Sequence, residues 1–438
     1  MEKIEILEIL NDWNYWNREL PLIVPRKSYD EKITSFLQKD EVTVLKGIRR
    51  CGKSTLLLNQ IKTLHASGVE KKNILFVNLE DPRFVNHLSV ALLGIIKDVY
   101  LEYLAPEGKP YIFLDEVQNI PFWEKWVNKE YELKLSHLAI TGSNSSMLSG
   151  EIASTLSGRY LSVEVFPLSF KEFLDFHHII LANKLDFVNK KIEINRAFEE
   201  FIKYGGFPKV LEYCQHEKNE LLLTYKDSIL LKDIVARYKL NNFTILEEIA
   251  AYLLANTGII QSTSKIKNNF KISFDMASNY VEYLRNAYML FEVKKFDYSL
   301  KKQNLNDRKY YSADLGLANL YRVGNLQFRG DDLETIVYLE LLRRGYKVYY
   351  YKTSSNQEID FVLEHENKIV ELVQVSKTLE NEKTKKREMD VFSKTIEELK
   401  LLDVKCTVIS EDKSAKIDVN ITMINILEWL NFEVLTNK

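Results

Sequence analysis

The chain has 438 residues, 46% of them hydrophobic and 28% charged, with a formal net charge of −2. That length exceeds a single core and predicts roughly two to four domains, and the near-neutral balance excludes a globally basic or membrane-seeking surface, so any such patch must be local. Cys51, Cys214 and Cys406 form no C-x-x-C pair, which excludes a disulfide framework and a cysteine zinc site and predicts a cytoplasmic protein. No apolar run approaches the roughly 20 residues of a membrane span, and the opening MEKIEILEILNDWNYW has no signal-peptide core, so no membrane partner is expected.

Taken in order, residues 1–40 predict a short helix (Ile4 to Trp13), an elbow from Pro21 to Pro25 and a second helix around Tyr29 to Leu37. Arg26 and Lys27 would be the charges nearest a neighbouring ligand, and solvated linker cations are the plainer reading. An apolar run (Val42, Val44, Leu45) then ends at Gly47, and a helical pattern opens behind Lys53-Ser54-Thr55. The pattern G-x-x-x-x-G-K-S is complete from Gly47 to Ser54 and lies between strand and helix. Such a loop aims backbone N–H groups at phosphate, with glycine where the chain approaches closely and the helix dipole behind it. Gly47, Ile48, Arg49, Arg50, Cys51, Gly52, Lys53, Ser54 and Thr55 are therefore the candidate cradle for ATP phosphates. Lys53 would reach the β- and γ-phosphates and the Ser54 hydroxyl would hold Mg²⁺.

Lys72 to Leu79 reads as a buried strand stopped by Glu80-Asp81-Pro82-Arg83, and a helix follows to about Leu104. Tyr111 to Glu116 is an apolar strand ending in two acids, the form of a Walker B strand. Asp115 would hold the metal and Glu116 would polarise the attacking water. A strand from His137 to Thr141 ends in Gly142-Ser143-Asn144. Asn144 is either a sensor of the γ-phosphate or part of a turn capping a helix that starts near Ser145. Arg159, just before a strand from Leu161 to Phe166, is either a phosphate-facing arginine, acting within its own subunit or across an interface, or a strand-start cation. Alternating strands and helices over 41–166 predict an α/β fold with a parallel sheet.

Residues 167–237 turn helical and suggest a lid, broken sharply at Gly205-Gly206-Phe207-Pro208. Asp233 and Arg237 lie four apart, as an i,i+4 ion pair would. Asn183-Lys184-Leu185-Asp186 reproduces the N-K-x-D guanine signal, but it follows a helical segment, and Glu116 stands where GTPases carry D-x-x-G, so it is read as coincidence. From Thr244 three helices, the last from Phe274 to Leu290, and a strand pair from Phe291 to Tyr311 have the order of a winged helix. Between Lys265 and Lys309, ten Lys/Arg against five Asp/Glu leave a local charge of +5, which favours DNA phosphate, although winged helices also dock proteins. The tail predicts a helix (Leu333 to Arg344) stopped at Gly345, three strands (Lys347 to Lys352, Glu358 to Glu364, Lys368 to Val375), a charged helix, a further strand and a terminal helix. Glu334 followed by Asp360 has the order of a metal-dependent nuclease site, in which Mg²⁺ needs oxygen ligands.

Together, GIRRCGKSTLL, LEDPRF, IFLDEVQNIPFWEKWV, ITGSNSSML, LSGRYLSVEVFPLSFKEF, YGGFPKVL and the QEIDFVL–LVQVS pair resemble a family of bacterial and archaeal AAA+-type ATPases. That family carries a C-terminal domain similar to PD-(D/E)xK nucleases. The resemblance implies a P-loop ATPase core over 41–166, a helical lid over 167–237, a winged helix over 238–325 and a nuclease-like domain over 326–438. It also implies ATP and Mg²⁺ as cofactors. Where active nucleases place (D/E)-x-K, this chain has Gln374-Val375-Ser376. Asp360 remains as a weak metal candidate, Lys377 would face the opposite side, and Lys352 is the offered substitute. The expectation is an ATPase whose nucleotide state controls DNA binding or remodelling, without cleavage. Its rivals are a switch that binds a protein and an ATP-controlled nuclease; homo-oligomerisation stays open.

Overall fold

The computed structural model describes residues 1–145, 155–322, 330–418 and 420–432; the helix expected from near Ser145 falls largely outside them. The chain forms two compact units, residues 1–166 with 286–288, and 167–285 with 289–438.

In the first unit β1 (Val42–Lys46), β2 (Ile74–Asn78), β3 (Tyr111–Asp115), β4 (His137–Gly142) and β5 (Tyr160–Glu164) form a parallel sheet in the order β2-β3-β4-β1-β5. Continuous apolar runs such as Ile-Leu-Phe-Val suit strands covered on both faces. The register pairs Leu45 with Thr141 and Leu114 with Ile140, which brings the ends of β1, β3 and β4 level. The N-terminal helix, Lys3–Trp13, belongs to this core: Ile6 and Leu10 pack with Leu93, Ile96 and Tyr100 from the helix Val90–Leu104.

A polar clamp fixes the lead-in. Asp81 accepts from Trp13 Nε1 at 2.7 Å and from Arg83, which also pairs with Asp12 at 2.7 Å. The Arg83 guanidinium, helped by the Trp13 donor, holds the Asp81 carboxyl down at about 2. A carboxyl depressed on folding stabilises above its unfolded value, and that contribution fades as pH falls from about 4 towards 2. Asp81→Asn is therefore expected to lower stability at neutral pH and to flatten the acid limb of a denaturation-midpoint profile between those values.

The second unit is built on a nine-stranded mixed sheet. Its strands are β6 (Ile260–Gln261), β7 (Leu290–Lys295), β8 (Arg308–Ser312), β9 (Lys347–Lys352), β10 (Glu358–His365), β11 (Lys368–Val375), β12 (Lys405–Ser410), β13 (Ala415–Lys416) and β14 (Ile421–Asn425). Their order is β13-β14-β12-β11-β10-β9-β7-β8-β6. The sequence separates the hairpin from the tail at 325/326, whereas β7 lies parallel to β9 and joins both into one sheet. The core follows: Phe296, beyond β7, packs with Tyr349, Ile359, Val362 and Leu372.

Residues 167–237, read from sequence as a lid, cluster with this unit. Asp233 lies in a π-helix, Ile229–Val235, and Arg237 in the turn of α-helix that follows it. At the Gly-Gly break Gly205 has φ +76°, and a Cβ there would lie 1.8 Å from Asp314 Oδ1. Asp314 Oδ2 accepts the Gly206 N–H at 2.7 Å and Oδ1 the Gly316 N–H at 2.8 Å, while burial pushes this carboxyl up to about 7. Asn183 caps the helix Lys184–Asn189, accepting from the N–H groups of Leu185 and Asp186 at 2.8 and 3.1 Å. That cap accounts for N-K-x-D without a base. Among the described residues no helix is long and apolar enough to cross a membrane.

Candidate functional site

β1 runs into the loop 47–52, and the helix Lys53–Ala66 starts behind it. Gly47 has φ +153°, and a Cβ would meet the Val165 carbonyl oxygen at 2.1 Å, so this glycine is demanded by the chain beside it as well as by any phosphate. Gly52, at φ +103°, caps the helix, and Arg50 takes a left-handed φ of +70° without being glycine. Ile48, Arg49 and Cys51 are buried, while Arg50 and Thr55 are exposed. Arg49 reaches Glu80 at 2.8 Å. Burial pushes the Cys51 thiol up.

Lys53 is 3% exposed and donates to the carbonyls of Gly47 and Ile48, both at 3.0 Å. Its ammonium lies 3.8 Å from Glu116 Oε1. The Ser54 side chain hydrogen-bonds Asp115, and Thr141 Oγ1 donates to Asp115 Oδ1 at 2.6 Å. Burial, with the neighbouring Glu116 charge, raises Asp115 to about 6. Glu116 leaves β3 in the left-handed region (φ 56°, ψ 49°), a conformation that costs a non-glycine residue on the order of 1–3 kcal/mol. Its N–H donates to Thr141 Oγ1 at 2.8 Å. One hydroxyl thus ties together the two acids of the strand end. Ser143 and Asn144 are fully buried directly after β4.

Lys53, Ser54, Asp115 and Glu116 are therefore brought together at the C-terminal edge of the sheet. A hydroxyl in contact with a carboxylate is an oxygen donor pair, which suits Mg²⁺. Arg26 corrects the reading of it as a solvated cation: it is buried, donates to the Cys51 carbonyl at 3.0 Å and packs 4.4 Å from the Tyr29 ring centroid. Lys27 is exposed. Arg159 does not join the site within its own chain. It precedes β5, at the sheet edge opposite the loop, and pairs with Glu132 at 2.6 Å and Asn128 at 3.0 Å.

Asp360 lies in the second unit, on β10. It is buried, Oδ2 accepts the Val375 N–H at 2.8 Å, and its own N–H donates to Gln374 Oε1 at 3.2 Å. Burial, then the Glu334 charge, push its carboxyl well above the usual range. The sequence offers Lys352 as the basic partner here, but the lysine that reaches these acids is Lys309 of β8. Its ammonium stands 2.7 Å from Glu334 and 2.5 Å from Glu358. Tyr311 also donates to Glu334. Burial disfavours the charged lysine, yet Glu334, Asp360 and Glu358 together hold its pKa above the usual value. Among the described residues no three His, Cys, Asp or Glu side chains gather as a metal-holding group.

Not all of the local +5 is open surface: Lys309 is internal, and Arg285 and Arg308 both pair with Glu292. Lys265, Lys267, Lys271, Lys301 and Lys302 are exposed.

Residues 39–174 match the model of the AAA domain. Residues 195–327 and 329–429 match two domains of unknown function, DUF8612 and DUF4143. The uncharacterized protein MJ1544 of Methanocaldococcus jannaschii is 34% identical over 85% of this chain and 82% of its own length. An uncharacterized protein of Haemophilus influenzae is 33% identical over 80% of this chain and 86% of its own. Among solved structures, the Walker-type ATPase PABY2304 of Pyrococcus abyssi is similar over 69% of this chain and 96% of that chain, at 16% identity and a TM-score of 0.45. The chain belongs to the family of the M. jannaschii and H. influenzae proteins and carries a P-loop ATPase core of the AAA kind.

Proposed function

We propose that this protein binds ATP with Mg²⁺, hydrolyses it, and uses the nucleotide state to control DNA binding. The observation that carries the catalytic part is the convergence of Lys53, Ser54, Asp115 and Glu116 at one sheet edge. The loop N–H groups and Lys53 bind and orient the phosphates. Ser54 and Asp115 would hold Mg²⁺, which when bound neutralises charge on the phosphate oxygens. The Glu116 carboxylate draws a proton from water and so aligns it for attack. Lys53, now against Glu116, changes partner when phosphate arrives, which frees that carboxylate.

The DNA part rests on residues 243–312, which run helix, strand, helix, helix, strand, short helix (Leu300–Leu305) and strand, near the order of a winged helix, with Lys265, Lys267 and Lys271 exposed. The tail serves as a binding module and not as a cutter, because Gln374 and Ser376 stand where active nucleases place an acid and a lysine. The internal pairing of Arg285, Arg308 and Lys309 favours a second reading, in which the same module docks a protein.

ATP turnover measured with and without duplex and single-stranded DNA separates the two. Stimulation by DNA is expected, and it should vanish in Lys265→Glu/Lys267→Glu/Lys271→Glu while basal turnover stays unchanged. Turnover indifferent to DNA would reject the DNA reading and leave the protein-docking one.

A further inference from the structure

Gln118 has no part in the assignment above, yet it is the side chain that holds Glu116. It sits on the 3₁₀ turn Val117–Asn119, directly beyond β3. Its Nε2 donates to Glu116 Oε2 and lies 3.3 Å from Ser143 Oγ. Its Oε1 is buried without a hydrogen-bond partner among the described residues. The Glu116 carboxylate is therefore held at both oxygens, by charge at Oε1, 3.8 Å from the Lys53 ammonium, and by a hydrogen bond from Gln118 at Oε2. When Lys53 turns to phosphate, one grip is left.

We infer that Gln118 is the positioning residue for hydrolysis: its amide fixes the Glu116 carboxylate and ties it to Ser143 at the end of β4. The inference rests on the ATPase reading of the same site. A glutamate carboxylate at the end of a flexible side chain must be held to direct water, since a displacement of about 1 Å can cost about 10²-fold in rate. The shared amide makes that placement depend on the segment after β4. An arrangement of Ser143 that keeps the amide in place keeps Glu116 in place. The unpartnered Oε1 adds an acceptor beside the carboxylate for a proton donor that the described residues do not supply.

The test uses the full chain. Gln118→Ala is expected to lower kcat about 10- to 100-fold while KM for ATP stays within about threefold, because orientation and not binding is lost. Nucleotide Kd and the thermal midpoint should stay near wild type, which a merely structural role would not leave unmoved. Adding Ser143→Ala to Gln118→Ala should slow turnover no further than Gln118→Ala alone, since both act through one link. Wild-type kcat in Gln118→Ala, or additive effects of the two substitutions, would overturn the inference. A wild-type protein without ATP turnover would instead overturn the ATPase reading beneath it.

Discussion

Glu116→Gln is expected to stop ATP turnover without stopping ATP binding. The amide keeps the volume of the carboxylate but takes no proton from water, and general-base contributions of this kind are worth about 10² to 10⁴-fold. The surroundings indicate which way binding moves. In the wild type the Glu116 charge helps to raise Asp115 to about 6, so removing it makes the Asp115 carboxylate easier to ionise and a better oxygen ligand. Lys53 loses the acid 3.8 Å away and is left for phosphate. Phosphate release should therefore fall by at least two orders of magnitude, while the Kd for ATP with Mg²⁺ stays level or tightens. Lys53→Ala should show the reverse emphasis, losing nucleotide binding itself. Glu116→Gln that keeps a tenth or more of the wild-type rate would remove Glu116 from the water-activating role.

The second large effect is on stability. Lys309→Met should destabilise the second unit by about 3–5 kcal/mol, the usual cost of removing one partner from a buried ionic cluster. Methionine fills a similar volume, so the loss is electrostatic: Glu334, Glu358 and the buried Asp360 would face one another without a cation. Chemical denaturation of wild type, Lys309→Met and Lys309→Met/Glu334→Gln measures it. The double variant should recover part of the loss, because it removes one of the stranded charges. A single-variant change below about 1 kcal/mol, the range of an exposed pair, would mean that the ammonium does not hold this cluster together.

What the sequence made legible was what short spacing encodes. Gly47 to Ser54 and Tyr111 to Glu116 each carry their chemistry within a few residues, so the loop, the acids and the parallel sheet could be read directly. Arg26 could not, because its partner carbonyl on Cys51 lies 25 positions away and nothing in an elbow between prolines announces burial. Lys309 was misread for the same reason: in a run of lysines and arginines it looks like surface, and its acids arrive from β10 and from the helix before β9. Gln118 shows a third case. Its contact with Glu116 is only two residues away, but it depends on the left-handed turn at Glu116, which no residue type there signals. The pairing of β7 with β9 was not legible either, because it joins segments more than fifty positions apart, on the two sides of the 325/326 division.

That pairing bears on how the protein can be cut and pulled. β7 is hydrogen-bonded on both flanks, to β8 on one side and β9 on the other. A fragment ending near residue 325 would strip one flank and leave open backbone donors and acceptors, an invitation to edge-to-edge aggregation. It would also remove Glu334 and Glu358 from Lys309, stranding a buried cation. The hairpin is thus a handle on the tail rather than a tethered neighbour. Tension applied to the strands after residue 290 would pass in the plane of the sheet to β9 and β10 and load the acid cluster directly.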